Sequence, residues 1–266
     1  MGKQEETLIL TAEIWTAEVV YTGFGTPLLK GGLVVVGEHV TGVGPLAELQ
    51  QSYPQAPLVR KGKALTPPVV NAHTHLDLST VPLFRGSYTD FIKHVIDFGS
   101  MRTVEAATQG LNELRALGVG GFGDIVYKPE ILEWLLHHSP LPGVAYLEVI
   151  NRNSEQAEEV ASRVARQLSK WREQSSLVRV GIAPHTPYNL SPALLKKLVE
   201  IARLEGFPMQ IHVAESPEES ELMTKGSGPL QEIPRQYGFP GYQDLPGLTP
   251  VRYLAELGVL GPHLTV

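Results

Sequence analysis

Three histidines and a glutamate have the types and spacings needed to hold a divalent cation and to move a proton beside it. His73 and His75 stand one residue apart in "PPVVNAHTHLDLS", where an apolar run turns polar. In extended chain, residues i and i+2 share a face, at about the separation that two ligands on one ion require. A His-x-His pair taken alone also reads as a polar strand end with satisfied imidazoles. His212, in "FPMQIHVAES", closes the fifth of the apolar runs that alternate with helical patterns. If those runs close into an eight-stranded barrel, the first and fifth strands face one another across the axis, and a third imidazole reaches the same ion. Zinc or iron(II) suits such a nitrogen and carboxylate set, whereas calcium and magnesium take oxygen alone.

Glu215 follows His212 by three residues, which on an ideal strand throws it to the opposite face. It serves the site only if the strand has ended and the chain has turned, and Pro217 makes that turn credible. Its carboxylate would then shuttle a proton between a water and the substrate; the plainer reading is a solvated glutamate among Glu218, Glu219 and Glu221. His185, in "GIAPHTPYNLSP", lies between Pro184 and Pro187, which fix its loop and aim the ring. It could be a further ligand, but three protein positions are already filled, which favours a substrate-bonding role.

These side chains need elements to carry them. Residues 7 to 64 hold short β-branched runs, "TLILTAEIW", "AEVVYTG" and "GGLVVVGEHVTGVG", and predict a small antiparallel β unit. From Leu65 onward "ALTPPVVNA", "VGGFGDIV", "GVAYLEVI", "LVRVGIAP" and "FPMQIHVAE" alternate with helical patterns, which predicts parallel crossovers and an α/β layer or barrel. Ser191 with Pro192 predicts a helix start, and Gly206 its end. The stretch 216–247 predicts a long loop with one short helix, "EESELMTK". The last residues, "PVRYLAELGVLGPHLTV", predict a helix and a sixth strand that is barely begun.

Composition narrows the function. The 266 residues are 42% apolar with a formal charge of −6, so no basic stripe is available for nucleic acid or anionic membrane. With no cysteine, disulfides, thiolate nucleophiles and cysteine zinc clusters are excluded. The first ten residues lack a long apolar segment, and no stretch approaches the roughly 20 apolar residues that span a bilayer. A soluble cytoplasmic protein with a small-molecule partner is expected; the oligomeric state is left open, a homo-oligomer being compatible with it.

Taken together, "VVNAHTHLDLS", "APHTPYNLSP" and "IHVAES" resemble the amidohydrolase superfamily, in the branch of metal-dependent deaminases and chlorohydrolases acting on purine, pyrimidine and triazine rings. The resemblance implies a (β/α)8 barrel of the amidohydrolase type, incomplete in this chain and cut at about its sixth strand. Residues 65–266 would form it, and residues 1–64 part of a small β-sandwich. It implies His73, His75 and His212 as ligands of one divalent ion, Zn2+ or Fe2+, Glu215 as the proton carrier and His185 as a substrate contact. A sixth-strand His and an eighth-strand Asp of the family would lie beyond the end of this chain. His263 precedes its strand and does not take over the missing role.

"NAHTHLDLS" followed by "FRG", "HVAESPEESELMTKGSGP" and "PVRYLAELGVLGP" further resemble aminodeoxyfutalosine and adenosine-type nucleoside deaminases. On that likeness Arg85 and Glu148 are candidate substrate contacts, with a loop cation and a strand-end charge as their structural readings. The expected reaction is hydrolytic release of ammonia from an aminated purine nucleoside or related heterocycle. A cyclic amidase or chlorohydrolase is the alternative within the superfamily, and a non-catalytic metal-binding scaffold the alternative outside it. "VRVGIAPHTP" holds no lysine that could be carboxylated to bridge two ions, which favours a single ion. "GVGGFG" matches a dinucleotide fingerprint only in letters, since it follows a helix and opens a strand.

Overall fold

A computed structural model describes residues 11–175, 177–242 and 245–266. The first ten residues, which include residues 7–10 of the first predicted strand, lie outside these described residues. The chain divides into two compact units, Met1–Pro68 and Val69–Val266. Leu65, where the pattern changes, pairs with Val20, so the first unit runs a few residues further than the sequence suggests.

The first unit contains β1 (Ala12–Thr16), β2 (Val19–Val20), β3 (Leu28–Leu29), β4 (Gly31–Val36), β5 (His39–Pro45), α1 (Leu46–Ser52), β6 (Leu58–Arg60) and β7 (Ala64–Leu65). They form a four-stranded sheet, β5-β4-β1-β6, and a three-stranded sheet, β3-β2-β7. The unit is not purely antiparallel as expected: β6 runs parallel to β1, and β7 parallel to β2. Strand β5 already runs in the direction of β1, both being antiparallel to β4, and α1 serves as a crossover after which β6 takes that direction again. Ile14, Val34 and Leu49 form its small core.

The second unit begins with β8 (Val69–Thr74) and continues through α2 (Tyr88–Asp97), α3 (Val104–Ala116), β9 (Val119–Val126), α4 (Pro129–His138), β10 (Gly143–Val149), α5 (Ala157–Trp171), β11 (Val178–Pro184), α6 (Pro192–Glu205) and β12 (Met209–Gln210). Helices α7 (Pro217–Lys225), α8 (Glu232–Tyr237) and α9 (Pro250–Glu256) then precede β13 (Leu264–Thr265). The six strands are parallel neighbours in the order β13-β12-β11-β10-β9-β8.

Helix α5 shows why these segments fold as they do. Ala157, Val160, Ala161, Val164, Leu168 and Trp171 are buried at three- and four-residue steps, so one stripe faces the sheet. Ser191 accepts the Leu194 amide as the cap of α6, and Gly206 ends that helix at φ 72°, as its residue types predict. Segment 216–247 is more helical than expected: α8 follows a 3-10 turn at Pro229–Gln231, and Leu230 and Ile233 join the core. No described helix is long and apolar enough to cross a membrane.

The sheet must be strongly curled. Strands β8 and β12 are four ladder steps apart, which in a flat sheet is about 19 Å. Yet His73 Nδ1 lies 3.0 Å from Gln210 Oε1, and Gln210 Nε2 donates to the Ala72 carbonyl at 2.9 Å. A half-barrel is the shape that brings them together, in keeping with an incomplete barrel of the amidohydrolase type. Inside the curl, Ile125, Tyr146 and Ala183 pack as a separate cluster. Gly123 and Gly181 leave room for this: a Cβ on Gly123 would sit 2.4 Å from the Ala72 carbonyl, and one on Gly181 2.5 Å from the Tyr146 ring.

Behind the His-x-His segment, Asp77 is 1% exposed and takes two hydrogen bonds from Arg102, at 2.8 and 3.1 Å. Burial pushes the Asp77 carboxyl up, and Arg102 opposes it. Asp124 on β9 accepts the Leu76 amide at 2.8 Å, holding the residue that follows His75.

Two predictions follow from this packing. Gly123→Ala should displace the Ala72 carbonyl and lower the unfolding free energy by about 1–3 kcal/mol; a urea midpoint equal to the parent's would show that β8 yields freely. Arg102→Met strands a buried carboxylate and should cost about 3–5 kcal/mol, much of it recovered in the Asp77→Leu/Arg102→Met double variant. Equal stabilities of the single and double variants would contradict that account.

Candidate metal centre

His73 lies near the end of β8, and His75 directly follows it. Their ring centroids are 5.3 Å apart, and those of His73 and His212 are 5.0 Å apart. His212 comes two residues after the paired part of β12, with its amide bonded to the His185 carbonyl at 3.1 Å. One nitrogen from each of His73, His75 and His212 lies within 4.8 Å of the others.

Hydrogen-bond partners decide which nitrogen each ring presents. The Gln210 amide nitrogen is spent on Ala72, so its oxygen accepts from His73 Nδ1–H, and Nε2 keeps its lone pair. His212 Nδ1–H donates to the His185 carbonyl at 3.1 Å, which leaves its Nε2 lone pair as well. That Nε2 faces His75 Nε2 at 3.1 Å. Burial, followed by the His212 charge, holds His75 well below the usual histidine range. Burial also lowers His212. Neutral rings are the form in which histidine ligates a metal, and His73 and His212 each keep an Nε2 lone pair for it.

The residues fit a metal ion. Two bonds of about 2.0–2.1 Å at a tetrahedral angle separate their nitrogens by about 3.4 Å, close to the 3.1 Å between His75 Nε2 and His212 Nε2. The donor set is all nitrogen, the chemistry of zinc or iron(II) rather than of calcium.

His185 presents itself differently. Its Nδ1 accepts from the Asn189 side-chain amide at 2.8 Å, so the proton sits on Nε2, which points toward Glu148 Oε1 at 3.8 Å. That distance exceeds a hydrogen bond. Burial lowers His185 to about 4, with Glu215 opposing, so the ring is a neutral N–H donor. The Glu148 side chain is 3% exposed, and burial raises its pKa. Glu148, His185 and His212 form a second group within ligating distance. It needs the same histidine as the first, and its His185 nitrogen carries a proton rather than a lone pair.

The Glu215 carboxylate lies near enough to His185 and His212 to oppose the lowering of both rings by burial. The ladder of β12 stops at Gln210, and Ala214 adopts φ 55°. Tyr88 donates to Glu215 Oε2 at 2.8 Å, and the Glu215 amide donates to Glu219 Oε2 at 2.7 Å. Burial raises the hydroxyls of Tyr88 and Tyr188, keeping both protonated. Arg85 is exposed in the loop before α2 and makes no side-chain hydrogen bond or ion pair among the described residues, so the structure does not bring it to this cluster.

Sequence reasoning passed over Gln210, Tyr88, Asn189 and Glu219. Gln210 was within reach of it, since it stands two residues before His212 and so shares that strand face. Tyr88 and Asn189 carry no such signal, because their contacts join segments far apart in the chain or depend on a loop's shape.

The Amidohydrolase family model matches residues 64–242, and a model of the bacterial imidazolonepropionase-like composite domain matches residues 31–56. An aminodeoxyfutalosine deaminase of Deinococcus radiodurans is 42% identical over 260 residues, covering 94% of this chain and 62% of that protein. The aminofutalosine deaminase of Helicobacter pylori superposes with a TM-score of 0.73 at 22% identity, over 89% of this chain and 58% of that one. An adenosine deaminase of Xanthomonas campestris with bound zinc superposes with a TM-score of 0.67 at 18% identity, over 96% of this chain and 56% of that one. These two superpositions show a shared fold. The chain spans less than two thirds of the length of each of these relatives. The family model covers more than half of the chain, from β7 to the loop beyond α8, and the chain belongs to the amidohydrolase family.

Proposed function

We propose that this chain carries the metal-binding part of a hydrolytic deaminase that releases ammonia from an aminated purine nucleoside, with aminodeoxyfutalosine as the substrate. The observation that carries this reading is the convergence of His73, His75 and His212 within 4.8 Å, with the Glu215 carboxylate near enough to act on the His212 charge. The substrate is taken from the 42%-identical Deinococcus relative.

His73, His75 and His212 would hold the ion through Nε2, and we take it to be zinc, with iron(II) the alternative that the same ligands accept. When bound, the ion supplies Lewis acidity that brings the pKa of a water to about 7. The remaining work falls to side chains of the chain itself. Tyr88 occupies Glu215 Oε2, which leaves Oε1 to take a proton from the attacking water and pass it to the ring nitrogen beside the carbon bearing the amine. Water supplies the new oxygen at that carbon, the amine leaves as ammonia, and the ring carries a carbonyl in its place. His185 offers its Nε2–H to an acceptor on the heterocycle, and Glu148 lines the same wall. Arg85 has no contact that supports a role and takes none in this proposal.

The test uses the full-length protein, with ammonia release from aminodeoxyfutalosine, 5′-deoxyadenosine and 5-methylthioadenosine measured beside bound metal. His212→Ala should lose both the ion and turnover. Glu215→Gln should keep the ion and lower kcat by about 10²–10⁴-fold. A chelator should abolish activity and added zinc restore it. Full turnover in either variant would defeat the assignment, and stoichiometric metal with no ammonia from any nucleoside would point to a metal-binding scaffold.

A further inference from the structure

Glu215 can reach the imidazoles only if the chain reverses within three residues of His212. The reversal places Ala214 at φ 55°, in a region that costs an L-residue about 1–2 kcal/mol, and no glycine relieves it. A local conformation of this kind persists only where its surroundings hold it.

The holding group is Glu219, which is 1% exposed at the first turn of α7. Its Oε2 accepts the Glu215 amide at 2.7 Å, while its Oε1 is buried without a hydrogen-bond partner. Ser216 caps α7 by accepting the Glu219 amide at 3.2 Å, so Ser216 and Glu219 occupy the two positions of a capping box. In the usual box the glutamate returns to the amide of the capping residue itself. Here the carboxylate reaches beyond Ser216, to the amide of Glu215, the residue that follows the positive φ of Ala214. Burying it beside the Glu215 carboxylate sets like charges together, which does not favour folding.

We propose that Glu219 is a positioning residue, whose carboxylate clamps the Ala214–Glu215 turn and so aims Glu215 at the imidazole cluster. The proposal rests on the reading of Glu215 as proton carrier.

The test compares Glu219→Ala, Glu219→Gln, Glu215→Gln and the Glu215→Gln/Glu219→Ala double variant in the full-length protein, with ammonia release from aminodeoxyfutalosine. Glu219→Ala should lower kcat about 10–100-fold while KM and bound metal stay at parent values. Glu219→Gln keeps an acceptor oxygen and should restore most of kcat. The double variant should be no slower than Glu215→Gln alone, since Glu219 acts only through Glu215. If Glu219→Ala fails to fold, Glu219→Asp, one methylene too short to reach, should show the same loss. Parent kcat in the variant that removes the clamp, or losses that multiply in the double variant, would overturn the proposal. Hydrogen exchange at the Glu215 amide needs no turnover: it should quicken in Glu219→Ala, and unchanged protection rejects the clamp. Full activity in Glu215→Gln would instead reject the proton-carrier reading.

Discussion

The side-chain amide of Gln210 is the constraint on which the centre depends. It joins the first and fifth strands of the curled sheet, donating to the Ala72 carbonyl and accepting from His73. A flat sheet would place those strands far beyond the reach of any glutamine. The same two bonds settle which nitrogen His73 turns outward. Curvature, ligand geometry and tautomer are therefore a single arrangement, and metal sites are sensitive to such outer partners.

Around this bridge the histidines divide into two chemical kinds. His73 and His212 turn Nε2 lone pairs toward a common point because their Nδ1 protons are given to oxygen acceptors. His185 turns an N–H instead, because Asn189 donates to its other nitrogen. Residues of one type, within a few ångströms, thus come to differ in role through their neighbours. Burial keeps His75, His185 and His212 neutral, so ligation and hydrogen bonding do not compete with protonation at neutral pH.

Several features of the second unit work against stability and gather about the centre. Asp77 and Asp124 are buried behind the His-x-His segment, Glu148 is buried inside the curl, and Ala214 takes an unfavourable backbone angle. Arg102 offsets one of these charges, and main-chain amides support others. By contrast the outer helices follow ordinary packing rules, with the stripe of α5 as the plainest case. Strain of this distribution is what a functional site on a well-packed scaffold shows.

Much of this was legible in the chain alone. The alternation of strands and helices, the cap at Ser191, the stop at Gly206 and the shared face of His73 and His75 follow from periodicity and from the preferences of individual residues, which act over a few neighbours. The parallel course of β6 and β7 was not legible, since it depends on α1 acting as a crossover after β5. Nor was the part of Glu219, whose sequence signature is that of a helix cap. The distance between His75 and His212, the proton positions on the rings and the turn at Glu215 were decided only by the tertiary structure. Each depends on contacts between segments remote in the chain or on a backbone reversal, and no local preference carries that information.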